Sequence, residues 1–138
     1  MREKAVLYIE KALGTYPKES TIKITNFMLL NVEQFIKNDI FDKAQSCCSD
    51  ALDLAISLDS IKLIEKGYYY KAIILEKQGS LVSAETYLNL SFDSLKRFGS
   101  SQDIYNRYMD LGDLYHRMGQ VGEAIRYFDL AIKIKKKF

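Results

Sequence analysis

The chain is short of most residues that interrupt structure or carry chemistry. Its 138 residues include a single proline, Pro17, a single histidine, His116, two cysteines and no tryptophan. With one proline, nothing forces frequent helix breaks, and the residues that remain are rich in helix formers, so an all-α fold is expected. One histidine is too few for a histidine-based metal site or catalytic pair, and no metal ligand set is expected. The cysteines, Cys47 and Cys48, are adjacent, a spacing that matches neither zinc nor thioredoxin-like signatures. On a helix their side chains point about 100° apart. A vicinal disulfide there is strained, so one core thiol and one partly exposed thiol are expected. Net charge is only +2, too small to draw the chain to nucleic acid or a membrane surface. No apolar run approaches membrane-spanning length, and Met1-Arg2-Glu3-Lys4 does not lead into a signal-peptide core, so the default expectation is the cytoplasm. Gly119 and Gly122 are followed by no Lys-Ser/Thr, which leaves no phosphate-binding loop.

What the chain does have is a spaced pattern near its C-terminal end: Tyr108-x-x-Leu111-Gly112-x-x-Tyr115, then Ala124-x-x-x-Phe128-x-x-Ala131. Spacings of three and four put Tyr108, Leu111 and Tyr115 on one face of a helix, and Ala124, Phe128 and Ala131 on one face of a second. Gly112 and Ala124 are small where two axes approach, and the aromatics fill the space beside them. Gly119-Gln120 separates the two helices. This pattern resembles the tetratricopeptide repeat. One such hairpin cannot bury its apolar faces alone, so neighbours are expected upstream.

They are there. Taking Ala124 as anchor, equivalent small residues stand at Ala84, Ala44 and Ala5, at intervals of 40, 40 and 39 residues. Ala5 to Ala12, Ala44 to Ala51 and Ala124 to Ala131 share one template. Ala84-x-x-x-Leu88-x-x-Ser91 is the weakest copy, with Ser91 keeping the small size. The expected organisation is one repeat domain over 1–138 with about seven helices: an orphan second helix within 1–17, then helix pairs over 18–58, 59–99 and 100–138. The expected breaks are Asn38-Asp39, Asp59-Ser60, Gly79-Ser80, Gly99-Ser100-Ser101 and Gly119-Gln120. In the helix ending near Lys37, Ser20-Thr21 offers a cap, and Ile22, Ile24, Phe27, Leu30 and Phe35 form the expected apolar stripe.

The resemblance implies a right-handed superhelix of antiparallel pairs. A standard repeat of this family is about 34 residues long. The 40-residue period here resembles the repeat domain of Gram-positive pheromone regulators of the Rap and PlcR type, in which a concave groove binds a short signalling peptide. The helix-turn-helix or three-helix N-terminal domain of those regulators is not seen, so the expectation is either a fragment of a longer regulator or a short stand-alone repeat protein, with the orphan first helix favouring the fragment.

The resemblance also implies which residues line the groove, because the first helix of each pair faces it. In the first pair these are Asn26, Leu29, Leu30, Glu33 and Lys37. In the second they are Lys66, Tyr69, Tyr70, Ile73 and Lys77, and in the third Asn106, Met109, Asp110, Asp113 and Arg117. An asparagine amide can both donate to and accept from an extended peptide backbone, and the tyrosines offer flat apolar contact with a polar tip. A carboxylate clamp of the chaperone-binding kind is disfavoured, since Asp110 and Asp113 stand where positive charge is wanted. Glu10, Glu33, Glu65, Glu76, Glu85 and Glu123 are dispersed and read as solvated faces. His116 is read as a surface or groove-edge residue.

No catalytic residue and no cofactor are expected; the chain is read as a binding module for a peptide or protein partner, not an enzyme. The alternative is a self-association or assembly scaffold acting through the array's ends, with a homodimer through the terminal helices. The last helix carries Val121, Ile125, Leu130, Ile132, Ile134 and Phe138, more than its partner helix can cover, which suggests a missing following helix or self-association through the array's end. Lys133, Lys135, Lys136 and Lys137 are read as cations at a helix C-terminus rather than a nucleic-acid patch.

Overall fold

A computed structural model describes residues 18–138. The orphan helix, Gly14 and the Tyr16-Pro17 turn fall outside the described residues. Six helices follow in order: α1 Lys18–Lys37, α2 Phe41–Ser57, α3 Ile61–Lys77, α4 Leu81–Leu95, α5 Ser101–Arg117 and α6 Val121–Lys135. The described chain is all-helical. Its helices pack as pairs, α1 with α2, α3 with α4 and α5 with α6, and the pairs stack in chain order.

Four of the turns are one design. After α1, α2, α3 and α5 the chain places a single residue in the left-handed region: Asp39 (φ 57°), Asp59 (φ 52°), Gly79 (φ 82°) and Gly119 (φ 78°). The amide of the next residue then donates to a carbonyl five positions back, as Ile40 to Phe35 (2.8 Å), Ser60 to Ala55 (3.2 Å), Ser80 to Leu75 (2.9 Å) and Gln120 to Tyr115 (2.9 Å). This closes the free carbonyls of each helix end and reverses the chain. Ser60 caps α3 by accepting from the Leu63 amide, and Ser100 with Asp103 forms a reciprocal capping box on α5.

The core follows the small-residue anchors. Ala44, Ala84 and Ala124 are all buried, and Cys48, Leu88 and Phe128 lie one turn further along the same faces. A Cβ built on Gly112 would stand under 3 Å from the Phe128 ring, so the hairpin α5–α6 closes to a distance that only glycine permits. Tyr108 bridges Phe92 of α4 (5.3 Å) and Tyr127 of α6 (6.1 Å), and Tyr115 stacks on Tyr127 at 5.5 Å. Cys48 is fully buried and Cys47 half-buried, both as free thiols. Desolvation lifts Cys48 to about 12, so it stays a neutral core group.

The expected apolar stripe of α1 is corrected. Its buried face is Thr21, Thr25, Leu29 and Val32, while Phe27 and Leu30 are 67% and 61% exposed. Thr25 can occupy the core because its hydroxyl donates 2.8 Å to the Thr21 carbonyl within the helix. Hydroxyl burial of this kind is invisible to a reading by hydrophobicity. Helix α1 also starts before the expected Ser20-Thr21 cap, with both residues already inside it.

Candidate functional site

The first helices of the three pairs, α1, α3 and α5, are joined by polar side chains. Tyr70 of α3 donates its hydroxyl proton 3.1 Å to Glu33 of α1, whose other oxygen takes Lys37 at 3.2 Å. Those two partners hold the Glu33 carboxyl below the usual range, Lys37 contributing most. Arg117 of α5 pairs with Glu76 of α3. Three helices therefore share one face.

At its centre is a buried polar cluster. Arg107 of α5 is 7% exposed and donates to two elements at once: Nη2 to Glu65 of α3 at 3.1 Å and Nη1 to Ser91 of α4 at 2.6 Å. Ser91 passes its own proton to the Leu88 carbonyl at 2.7 Å. The Arg107 plane lies 4.2 Å from the Tyr69 ring centre, and its Nε faces Asp110 at 3.5 Å. That last contact is electrostatic only, since Nε is the one buried side-chain nitrogen or oxygen without a hydrogen bond among the described residues. Burial raises the Glu65 carboxyl despite the opposing pull of Arg107. Burial likewise raises Asp110 to about 6, with Arg107 opposing and Asp113 and Glu76 adding. Tyr69 is pushed up to about 12, mainly by desolvation.

The sequence-predicted residues distribute unevenly over this face. Tyr69, Tyr70, Ile73 and Asp110 are half-buried around the cluster, and Lys66, Lys77, Asn106, Asp113 and Arg117 are exposed beside it. Asn26 donates its amide 3.1 Å to the Ile22 carbonyl, leaving its own carbonyl oxygen to accept; Asn106 accepts from Gln102 at 2.9 Å, leaving its amide hydrogens to donate. Leu29 is a core residue, 3% exposed, and is not available to a ligand. Leu30 and Lys37 are exposed. Met109 lies between α5 and α6, in a cleft with Phe128 and Ile132.

The reading of the glutamates as solvated is corrected for two of them. Glu65 is 7% exposed in an ion pair, and Glu76 is paired with Arg117. The signal that marks the cluster was Ser91: it replaces the alanine found at Ala51 and Ala131, and its hydroxyl is what Arg107 reaches. Among the described residues no group of histidine, cysteine, aspartate or glutamate is arranged to hold a metal ion. None of their helices is long and apolar enough to cross a membrane.

The tetratricopeptide repeat family model matches residues 105–138. The fold is similar to the crystal structure of the tetratricopeptide domain of the Arabidopsis protein FLU, with a TM-score of 0.75 at 24% identity over 88% of this chain and all of that one. No curated protein matches the sequence.

Proposed function

We propose that the chain is a non-catalytic interaction module that captures an extended peptide or protein tail along the face of α1, α3 and α5. Repeat folds of this kind serve as protein-interaction modules. The observation that carries the reading is the pair of complementary asparagines. Asn26 offers an acceptor at one end of the face and Asn106 donors at the other, with Tyr69 and Tyr70 between them. An extended backbone needs that alternation, and the tyrosine faces supply apolar contact without a large entropy cost. The buried Arg107 cluster beneath fixes the ring of Tyr69. The 40-residue period favours a sensor part of a cytoplasmic transcriptional or signalling regulator.

The test is a panel of short peptides screened by thermal shift, followed by affinity measurements on the best binder. Asn106→Ala is expected to weaken that binding about tenfold, the loss of one or two buried hydrogen bonds, with no change in melting temperature. Binding that ignores Asn106→Ala and Asn26→Ala alike would remove the groove from consideration.

A further inference from the structure

A second face of the molecule, on α6, is apolar and exposed. In each pair the second helix carries a large or soft residue one turn beyond the anchor and another four residues later. The second of these is Leu52 in α2, Phe92 in α4 and Ile132 in α6, at intervals of 40 residues. Leu52 is 7% exposed, Phe92 8% and Ile132 54%. The first two are covered by a helix of the following pair. Leu52 packs on Gly67 of α3, and Phe92 meets Tyr108 of α5. Ile132 instead borders an open cleft of about 490 Å³ lined by Tyr105, Met109, Phe128, Lys135 and Lys136. The fold itself thus shows twice what object fits this face: a helix.

The apolar floor continues along α6. Val121, Ile125, Phe128 and Ile132 recur at spacings of four, three and four, and Val121 and Ile125 are 58% and 62% exposed. That stripe suits a facing helix of about three turns. Its rim at the α6 C-terminus is cationic. Lys135 and Lys136 line the cleft, Lys135 stands 5.1 Å over the Tyr105 ring, and no carboxylate is among the lining residues. Nearby Lys133 is occupied by Asp129 at 3.1 Å.

We propose that this cleft docks an amphipathic helix of a partner protein whose apolar stripe is flanked by carboxylates, which would lie over Lys135 and Lys136. A second copy of α6 fits the charge less well. Parallel pairing stacks the two lysine runs, and antiparallel pairing brings Lys136 to an α6 N-terminus whose one first-turn carboxylate, Glu123, is already paired with Arg126 at 3.0 Å. The site is separate from the face of α1, α3 and α5 and does not depend on how that face is used.

The experiment measures fluorescence anisotropy of two designed helical peptides about four turns long. Both carry leucine at the four-three-four spacing; one is flanked by glutamate, the other by lysine. The glutamate peptide is expected to bind preferentially, and Ile132→Glu to weaken it at least ~10-fold. Ile132 and Ile125 are both exposed, so Ile125→Glu serves as an independent second variant, with circular dichroism as the fold control. The double change Lys135→Glu and Lys136→Glu is expected to transfer preference to the lysine peptide. Equal binding of the two peptides, or indifference to both isoleucine variants, overturns the proposal. So does a dimer by light scattering that Ile132→Glu splits, which would give the face to a second copy. Capture by anionic vesicles with no peptide binding would overturn it as well, in favour of a lipid surface.

Discussion

The two junctions between helix pairs are built differently. Where α3 meets α1 and α2 the contact is mostly apolar, with one hydrogen bond from Tyr70 to Glu33 at its edge: Leu29, Ala51, Ala55, Leu58 and Leu63 form one cluster, and Val32, Ala44, Cys48 and Ile74 another. Where α5 meets α3, no Cα of one helix comes within 8 Å of the other. The gap is spanned by side chains, chiefly Arg107 to Glu65 and Tyr69. An apolar core joins α5 to α4 beneath it, through Leu88, Phe92, Leu111 and Leu114. Apolar burial is nondirectional and forgiving of small shifts, whereas a buried guanidinium fork fixes one relative orientation. One repeat spacing therefore accommodates both a packed junction and a wired one, and the wired junction lies beneath the tyrosines of the candidate binding face.

The strongest way to break this asymmetry is to remove Arg107. Arg107→Ala leaves Glu65 buried and unpaired, and the expected cost is about 3–5 kcal/mol in urea unfolding. Replacing both members with methionine is expected to recover most of that loss, because neither charge is then stranded. At the first junction the comparable change, Leu29→Ala, is expected to cost about 2–5 kcal/mol through the cavity alone, with no partner able to restore it. A double-mutant cycle on Glu65 and Arg107 that returns no coupling would dissolve the distinction.

Glycine substitution sharpens the comparison on the scale of single methyl groups. A Cβ at Gly112 meets the rigid Phe128 ring, while one at Gly67 meets the tip of Leu52 at 2.8 Å, a side chain that can rotate away. Gly112→Ala is expected to lower stability by about 1–3 kcal/mol. Gly67→Ala is expected to be near neutral, since about 1 kcal/mol of helix propensity offsets the adjustment. Thermal melts of the two variants side by side decide the matter.

Much of this was legible in advance because it depends on spacing. The 40-residue interval locates the buried anchors Ala44, Ala84 and Ala124, and each described turn falls at an expected Gly, Asp-Ser or Asn-Asp break. The face of α1 differs from the expected stripe because Thr21 and Thr25 are polar by type yet buried, Thr25 with its hydroxyl satisfied inside the helix. Arg107 was missed for a related reason. Its partners Glu65 and Ser91 lie 42 and 16 residues away, and charged residues on helices ordinarily face water. Burial of a charge depends on the meeting of three helices, which a one-dimensional period does not encode.

The two junctions should also respond to pH in opposite senses, because Asp110 at the wired one is raised while Glu33 at the packed one is lowered. Asp110 has its carboxyl raised to about 6 in the folded chain, from an ordinary 3.8. The folded state thus favours the protonated acid, so this contribution is full below pH 4 and is lost as pH rises through 6. With the side chain 36% exposed, solvent screening reduces the effect to about 1 kcal/mol. Glu65 shifts in the same direction. Urea midpoints between pH 4 and 7 are expected to fall, and Asp110→Asn to make the slope shallower. An unchanged slope would show that Asp110 is solvated like any surface carboxylate.

The smallest expected effect lies in the turns. The left-handed residue is aspartate after α1 and α2 but glycine after α3 and α5. A side chain in that region is strained relative to glycine, by about 1 kcal/mol for a residue as tolerant as aspartate. Part of that is regained because glycine also loosens the unfolded chain. Asp59→Gly is therefore expected to stabilise the chain by about 0.5 kcal/mol, and Gly79→Asp to destabilise it by a similar amount. Apart from its chain neighbours, nothing lies within 4 Å of a Cβ built at Gly79, so backbone strain, not crowding, would be the cause. If Asp59→Gly lowers the melting temperature instead, the aspartates are held for a contact rather than tolerated, and the turns do not distinguish the two halves.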